Sequence, residues 1–124
     1  MPITDIDFSN GIYYAKETGY ITREDAELWA QYARKFAAAS PTPIVALVDA
    51  LDVTAIANEA RQIFVKAAKT PNLKISAIAS NAPIPTTATR IIGMMVDKDH
   101  TNVFPTFEEA LRFAREHAAY AHSS

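Results

Sequence analysis

Cysteine is absent from the 124-residue chain, which excludes disulfides, thiolate nucleophiles and cysteine-ligated metal centres. Glycine is scarce: the three positions are Gly11, Gly19 and Gly93, and they form neither a P-loop nor a G-x-G-x-x-G fingerprint. The 12 basic and 14 acidic side chains give a net charge of −2, so the chain lacks the positive excess of nucleic-acid-binding proteins. We therefore expect neither a nucleotide phosphate loop nor a nucleic-acid partner.

Long apolar runs are also missing. The longest, around Ile44–Val48 and Ile91–Val96, are far below the roughly 20 residues that a membrane-spanning helix needs. The N-terminus has no basic region followed by an apolar run, which is the pattern of a secretory signal. With 49% hydrophobic residues, the chain is expected to fold as a single domain over residues 1–124, without a membrane span and in the cytoplasm.

The first third of the chain changes from a strand pattern to a helical one. Alternating apolar and polar residues over Gly11–Thr22 predict a β-hairpin with its turn at Thr18-Gly19. Thr22 and Asp25 then resemble the two ends of a capping box. Apolar residues recur at helical spacing from there until Ser40-Pro41, where proline ends the helix.

Strands and helices alternate along the rest of the chain. The run Ile44–Val48, apolar throughout, predicts a central strand covered on both faces, and Thr54 is expected to cap the following helix. The later predicted elements are a strand over Leu73–Ala79, a helix over Ile84–Lys98, a strand over Asn102–Phe104 and a helix opened by the capping box Thr106–Glu109. This order predicts an α/β fold: an opening hairpin and βα repeats, with a mixed, mostly parallel sheet of about five strands and four helices.

Catalytic candidates are few. Ser80 follows a predicted strand, but its neighbours Ala79 and Asn81 do not form the G-x-S-x-G turn of serine hydrolases. Asp49 or Asp52 could act as a general base at the end of the central strand, which makes a small enzyme our third hypothesis. No histidine or basic residue stands near them in the sequence, so we expect no catalytic residues and a protein that is not an enzyme.

The metal-ligand candidates are the three histidines and their acidic neighbours. Asp97, Asp99 and His100 lie almost consecutively, and adjacent residues rarely converge on one ion. His117 and His122 are five residues apart, whereas a spacing of four would place both on one helix face. We expect no metal site and no cofactor.

The segment Ile91–Val96 is apolar around nearly the whole helix axis. A surface helix usually has one apolar stripe, so the remaining directions need another helix, a partner chain or an apolar ligand. Methionine suits such adaptable contacts. The residues predicted to form a dimer or ligand surface are Ile91, Ile92, Met94 and Met95.

Nearly the whole chain resembles a known family. EDAELW after the hairpin, IVALVDALDV as the central strand and loop, and FPTFEEALRFA near the end are similar to the STAS fold of sporulation-type anti-sigma-factor antagonists, especially small stand-alone bacterial relatives of unassigned function. The resemblance implies a protein that is not a catalyst. Such proteins present the loop after the central strand, and the helix that follows it, to a partner such as a kinase-like anti-sigma factor.

The resemblance also implies a phosphorylated serine at the start of that helix, and here the sequence departs from the family. The equivalent stretch is Ala57-Asn58-Glu59-Ala60, without serine or glycine, and Thr54 is the nearest hydroxyl. Phosphorylation acts by adding negative charge, and Glu59 already carries negative charge near this place. A switch of the family's kind is therefore lost or moved in this chain.

Our leading hypothesis is a non-enzymatic, STAS-like regulatory or protein-interaction module that binds an unidentified protein partner and forms a homodimer. The predicted partner-binding residues lie at the carboxyl-terminal edge of the sheet: Asp49, Asp52, Val53, Thr54, Ile56, Asn58, Glu59, Ser80 and Asn81. The alternative is a small-molecule or lipid sensor with an apolar cavity between the sheet and the helix over residues 84–98.

Overall fold

The computed structural model describes residues 2–80 and 101–122. Its elements are β1 (Ile3–Ser9), β2 (Ile12–Ile21), α1 (Arg23–Ala39), β3 (Ile44–Ile56), α2 (Asn58–Ala67), β4 (Leu73–Ala79), β5 (Thr101–Phe104) and α3 (Phe107–His122). The five strands form one sheet in chain order, with β1 antiparallel to β2 and all later neighbours parallel. The predicted α/β architecture is confirmed; these residues contain three helices, and the fourth predicted helix, over 84–98, lies outside them.

The opening hairpin turns at a different place from the predicted one. Ser9 pairs with Ile12, so the loop is Asn10-Gly11, and both loop residues have positive φ, 52° and 78°. Two positive φ values are what a two-residue hairpin loop with the right twist requires, and Asn-Gly adopts them easily. The predicted turn at Thr18-Gly19 is wrong: Gly19 lies inside β2, with φ of 67°, next to an irregularity in the pairing with β3.

Helix α1 starts and stops where the sequence predicts. The Asp25 amide donates to Thr22 Oγ1 at 3.3 Å, and the Thr22 amide donates to Asp25 Oδ2 at 2.8 Å, which completes the capping box. The helix ends at Ala39, before Ser40-Pro41. Its buried face is rich in alanine, which lets the helix lie close to the sheet.

Strand β3 is longer than predicted. It continues through Ile56, because its partner β2 runs beside it to Ile21, with Tyr20 opposite Ala55 and Ile21 opposite Ile56. Helix α2 therefore begins only at Asn58, and its N-cap, Ala57, makes no side-chain hydrogen bond. The prediction that Thr54 caps this helix is wrong, since Thr54 lies within the strand.

The sheet is covered on both faces. Alternate residues of β3, including Ile44, Ala46 and Val48, pack with α1 and α2, whereas Val45 and Leu47 pack with α3. This explains why the run is apolar throughout, as predicted for a strand covered on both faces. At the start of α3 the Glu109 amide donates to Thr106 Oγ1 at 3.2 Å, so threonine caps this helix as expected.

Candidate functional site

Two helices begin side by side at one edge of the sheet. Strands β2 and β3 are parallel, so both end at this edge, and the Ala57 amide donates to the Ile21 carbonyl at 2.9 Å. Each strand is followed almost at once by a helix, α1 after β2 and α2 after β3. We call the resulting area the helix-start surface; an open depression of about 380 Å³ within it is lined by Tyr20, Thr22, Arg23, Glu24, Ala57, Asn58 and Glu59.

Tyr20 is the apolar feature of the helix-start surface. Its side chain is 54% exposed, the larger value of the two exposed large hydrophobic residues in the described part of the chain. Half-buried Ile56 ends the neighbouring strand beside it, and half-buried Ala57 follows as the N-cap of α2. Tyrosine is enriched at protein interfaces because it combines a large apolar ring with a polar tip. Tyr20 was not among the predicted site residues, because the predicted hairpin put it just after a turn rather than at a strand end beside α2.

Charges of both signs surround Tyr20. Arg23 Nε donates to Glu27 Oε1 at 2.9 Å, and this hydrogen bond, with smaller contributions from Glu59 and Glu24, raises the pKa of Arg23. Arg61 Nη1 donates to Asn58 Oδ1 at 3.1 Å within the first turn of α2. The surface therefore combines one exposed aromatic ring with a rim that carries charges of both signs.

The predicted partner-binding residues do not form one cluster. Asn58 and Glu59 are exposed at the helix-start surface, with Ile56 half-buried beside them. Asp52 and Thr54 are exposed on β3, farther from the start of α2.

Asp49 lies apart from the other residues of the predicted set. It shares the face of β3 that packs toward α3, and its Oδ1 accepts from the Leu51 amide at 3.3 Å. Its charge helps to raise the pKa of Tyr14, although burial of the Tyr14 ring is the larger cause. Asp49 therefore belongs to the opposite side of the sheet from α2.

Val53 and Ser80 are buried, and this corrects their expected role. Val53 is 3% exposed and belongs to the core beneath α1 and α2. Ser80 is 5% exposed, and its amide donates to the Phe104 carbonyl of β5 at 2.9 Å. A partner cannot touch either side chain on the folded domain. Asn81 and the predicted surface Ile91, Ile92, Met94 and Met95 lie outside the described residues.

A second feature is a partly enclosed space between the sheet and helices α1 and α2. It is a cavity of about 60 Å³, which we call the buried polar cavity; its lining residues are Glu17, Trp29, Val48, Ala50, Ile56, Phe64, Ala68, Ser76, Ile78 and Thr101. Three polar atoms of this lining, Glu17 Oε2, Trp29 Nε1 and Ser76 Oγ, are buried without a hydrogen-bond partner. A buried polar atom without a partner destabilises the folded state by about 1–3 kcal/mol. A molecule that forms hydrogen bonds with these three atoms would therefore stabilise the fold.

Glu17 is the titratable group of the buried polar cavity. Its side chain is 4% exposed, and burial, with a smaller contribution from the negative charge of Asp25, raises the pKa of Glu17 to about 8. The carboxyl is therefore mostly protonated at neutral pH and can both donate and accept a hydrogen bond. Glu17 was not among the predicted site residues, because nothing in the local pattern shows that a glutamate of β2 points into the core.

Residues 2–80 and 101–122 contain neither a candidate metal site nor a helix that could span a membrane. No group of three or more histidine and acidic residues in that part of the chain could hold a metal ion. His117 Nδ1 lies 2.9 Å from the Phe113 carbonyl of its own helix. No helix in the same part is long and apolar enough to cross a membrane.

Comparisons with known proteins identify the fold. No protein-family model matches the chain, and no curated protein matches it. An anti-sigma factor antagonist from Mycobacterium paratuberculosis is similar in structure, with a TM-score of 0.68 and 21% identity over 91% of this chain and 94% of that one. An uncharacterised protein of the DUF3478 family with a SpoIIAA-like fold, from Shewanella loihica PV-4, has a TM-score of 0.63 and 24% identity over 90% and 91%. The chain therefore has the SpoIIAA-like, or STAS, fold, as the resemblance of its sequence predicted.

Proposed function

We propose that the protein is a non-enzymatic regulatory or protein-interaction module of the STAS type, which binds a protein partner through the helix-start surface. The observation that carries this proposal is Tyr20, a half-exposed aromatic ring beside Ile56 at the start of two helices. Exposed aromatic anchors within a polar rim provide most of the binding energy in many protein interfaces. The anti-sigma factor antagonist of similar fold supports a role in binding rather than in catalysis.

The charges of the surface indicate what kind of partner fits. Glu24 and Glu59 are exposed, and the Arg23 cation is already paired with Glu27 at 2.9 Å. A partner that offers an apolar pocket for Tyr20 and a basic rim for Glu24 and Glu59 is complementary to it. Rim charges of this kind mainly accelerate association, whereas the tyrosine sets the lifetime of the complex.

Binding at this surface does not depend on a phosphorylated serine. The first turn of α2 reads Asn58-Glu59-Ala60, and the Thr22 hydroxyl at the neighbouring helix start takes part in the capping box. Glu59 places a permanent negative charge at the start of α2, where it also interacts favourably with the helix dipole. We propose that the interaction is not switched by phosphorylation in the first turn of α2.

The test is photo-crosslinking from position 20, with a benzophenone amino acid in place of Tyr20 and the same residue in place of Val103 as the matched control. Among the residues that the structure describes, Val103 on β5 is also a large hydrophobic residue with an exposed side chain, at 43%. We expect one protein to crosslink reproducibly from position 20 and not from position 103. Affinity of the purified partner should then fall at least tenfold, roughly 1.4 kcal/mol, for Tyr20→Ser and remain unchanged for Val103→Ser. Equal crosslinking from both positions, or equal affinity of both variants, contradicts the proposal.

Self-association is a separate part of the proposal. The sequence favours a homodimer through Ile91, Ile92, Met94 and Met95, which lie outside the described residues. Native mass spectrometry at micromolar concentration should show a dimer that Met94→Glu and Met95→Glu together convert to a monomer. A monomer for the unmodified chain contradicts this part and leaves the helix-start surface as the place of partner binding.

A further inference from the structure

The buried polar cavity collects atoms that proteins normally do not leave without partners. In residues 2–80 and 101–122, five buried side-chain nitrogen and oxygen atoms have no hydrogen-bond partner, and three of the five line this cavity. They are Glu17 Oε2, Trp29 Nε1 and Ser76 Oγ, on residues that are 4%, 3% and 4% exposed. Nearly all buried polar groups in folded proteins are paired with protein, water or ligand. Three unpaired groups around one cavity therefore need a partner there, either water or a ligand.

These three groups come from separate elements, so local strain does not explain them. Glu17 belongs to β2, Trp29 to α1 and Ser76 to β4. Trp29 is held firmly: its ring stacks on Tyr13 with centroids 5.2 Å apart, and the Tyr13 hydroxyl donates to the Trp29 carbonyl at 2.9 Å. Phe64 of α2 contacts the Trp29 ring edge to face, at 5.6 Å. The indole N–H is consequently a fixed donor at the cavity wall.

The size and the walls of the cavity limit what can bind. Its volume of about 60 Å³ is several times the roughly 10–15 Å³ that one water molecule needs. The rest of the lining is mainly apolar, with Val48, Ala50, Ile56, Phe64, Ala68 and Ile78. A molecule of a few heavy atoms with an apolar body and one polar group matches both the walls and the polar atoms.

We propose that the buried polar cavity binds a small neutral alcohol, a short aliphatic chain that carries one hydroxyl group. The hydroxyl accepts from Trp29 Nε1 and donates to Glu17 Oε2 or Ser76 Oγ, while the chain contacts the apolar walls. A purely apolar molecule leaves the three groups unpaired, and an ion loses its hydration without an opposite charge to pair with. Glu17, whose pKa is raised to about 8 by burial, is neutral at pH 7 and can serve as donor or acceptor.

The test uses the indole N–H of Trp29, which is the single tryptophan of the chain and gives one indole signal in a ¹⁵N-labelled sample. The full chain is titrated with butan-1-ol and, separately, with 1-chlorobutane, which is similar in shape but cannot donate a hydrogen bond. We expect the indole signal to move downfield and to saturate with butan-1-ol, and 1-chlorobutane to bind at least tenfold more weakly. A signal that does not saturate means that the cavity holds water alone. Equal binding of butan-1-ol and 1-chlorobutane means that the polar atoms do not discriminate between the two probes. Either result overturns the proposal.

Two variants place the binding in this cavity. Ser76→Ala removes one hydrogen-bonding group and should weaken butan-1-ol binding several-fold, whereas Ala68→Leu fills the cavity and should abolish it. Val103→Ala, on the exposed side of β5, is the control that should bind as the unmodified chain does. Undiminished binding by a folded Ala68→Leu variant overturns the proposal. If that variant does not fold, the comparison of the two probes and the Ser76→Ala variant still test whether the cavity binds an alcohol. None of these measurements depends on binding at the helix-start surface.

Discussion

The two faces of the sheet are built in different ways. Beneath α1 and α2 the core contains aromatic rings, Tyr13, Trp29, Phe36 and Phe64 among them, together with the buried polar cavity. Beneath α3 the contacts come from alanines at helical spacing, Ala110, Ala114 and Ala118, which pack against Val45 and Leu47. Beside α3 there is also an open groove of about 820 Å³, whose lining includes Tyr14, Leu47, Phe107 and Leu111. The first face therefore buries unpaired polar groups in a small cavity, whereas the space beside the second face is a large groove open to solvent.

Truncation of the aromatic core should have the largest effect. Tyr13 is fully buried and packs against both Trp29 and Phe36. Tyr13→Ala should lower the free energy of unfolding by about 3–5 kcal/mol, because it removes a ring and leaves a cavity. Tyr13→Phe, the matched control, loses only the hydrogen bond to the Trp29 carbonyl and should cost about 1 kcal/mol. Urea denaturation followed by circular dichroism measures both; equal losses would show that the hydroxyl, not the ring, dominates.

The acidity of Glu17 should make the α1 and α2 face sensitive to pH. The folded pKa of about 8 lies above the unfolded value, so between the two the folded state binds more protons and the free energy of unfolding falls as pH rises. From roughly pH 5 to pH 8 the loss should be on the order of 3 kcal/mol, since each pH unit changes it by up to about 1.4 kcal/mol.

Glu17→Gln isolates this effect from the titration of other groups. Glutamine keeps the size of the side chain but does not ionise, so most of the decline over this range should disappear. Denaturation measured at several pH values compares the two proteins. The same slope for both would show that Glu17 is not the group responsible.

One substitution placed on each face sharpens the comparison further. Ala114→Leu, at a fully buried position on α3, should lower the free energy of unfolding by about 1–3 kcal/mol through overpacking. Ala68→Leu, at the wall of the buried polar cavity, should cost less, and can raise stability by up to about 1 kcal/mol because it fills empty space. Thermal unfolding of the two variants gives the contrast directly. Equal destabilisation would contradict the difference in packing between the faces.

Much of the fold could be predicted because its signals are local. Helix α1 is bounded by the capping box of Thr22 and Asp25 and by the proline after Ser40. The apolar run Ile44–Val48 indicates a strand covered on both faces. Each of these depends on residues within a few positions of one another. The hairpin turn was predicted at the wrong place because both Gly19 and Asn10-Gly11 can adopt positive φ. The observed strand pairing puts the turn at Asn10-Gly11.

The candidate sites were predicted less well, since they combine residues far apart in the chain. Asn58 and Glu59 were found because they begin a helix after a strand, but Tyr20 joins them only through the parallel pairing of β2 with β3. Asp49 was grouped with them by proximity in sequence, yet in a strand alternate residues face opposite sides. That alternation is why Asp49 lies toward α3.

The sequence by itself determined the fold class, the element types and the absence of cysteine and phosphate-loop chemistry, because composition, periodicity and capping act over short stretches of chain. The tertiary structure alone decided which side chains meet. It extended β3 to Ile56, buried Val53 and Ser80, and brought Glu17, Trp29 and Ser76 to one cavity. Side-chain burial and unpaired polar atoms depend on strand register and on the helices that cover the sheet, and these are set by packing between distant parts of the chain.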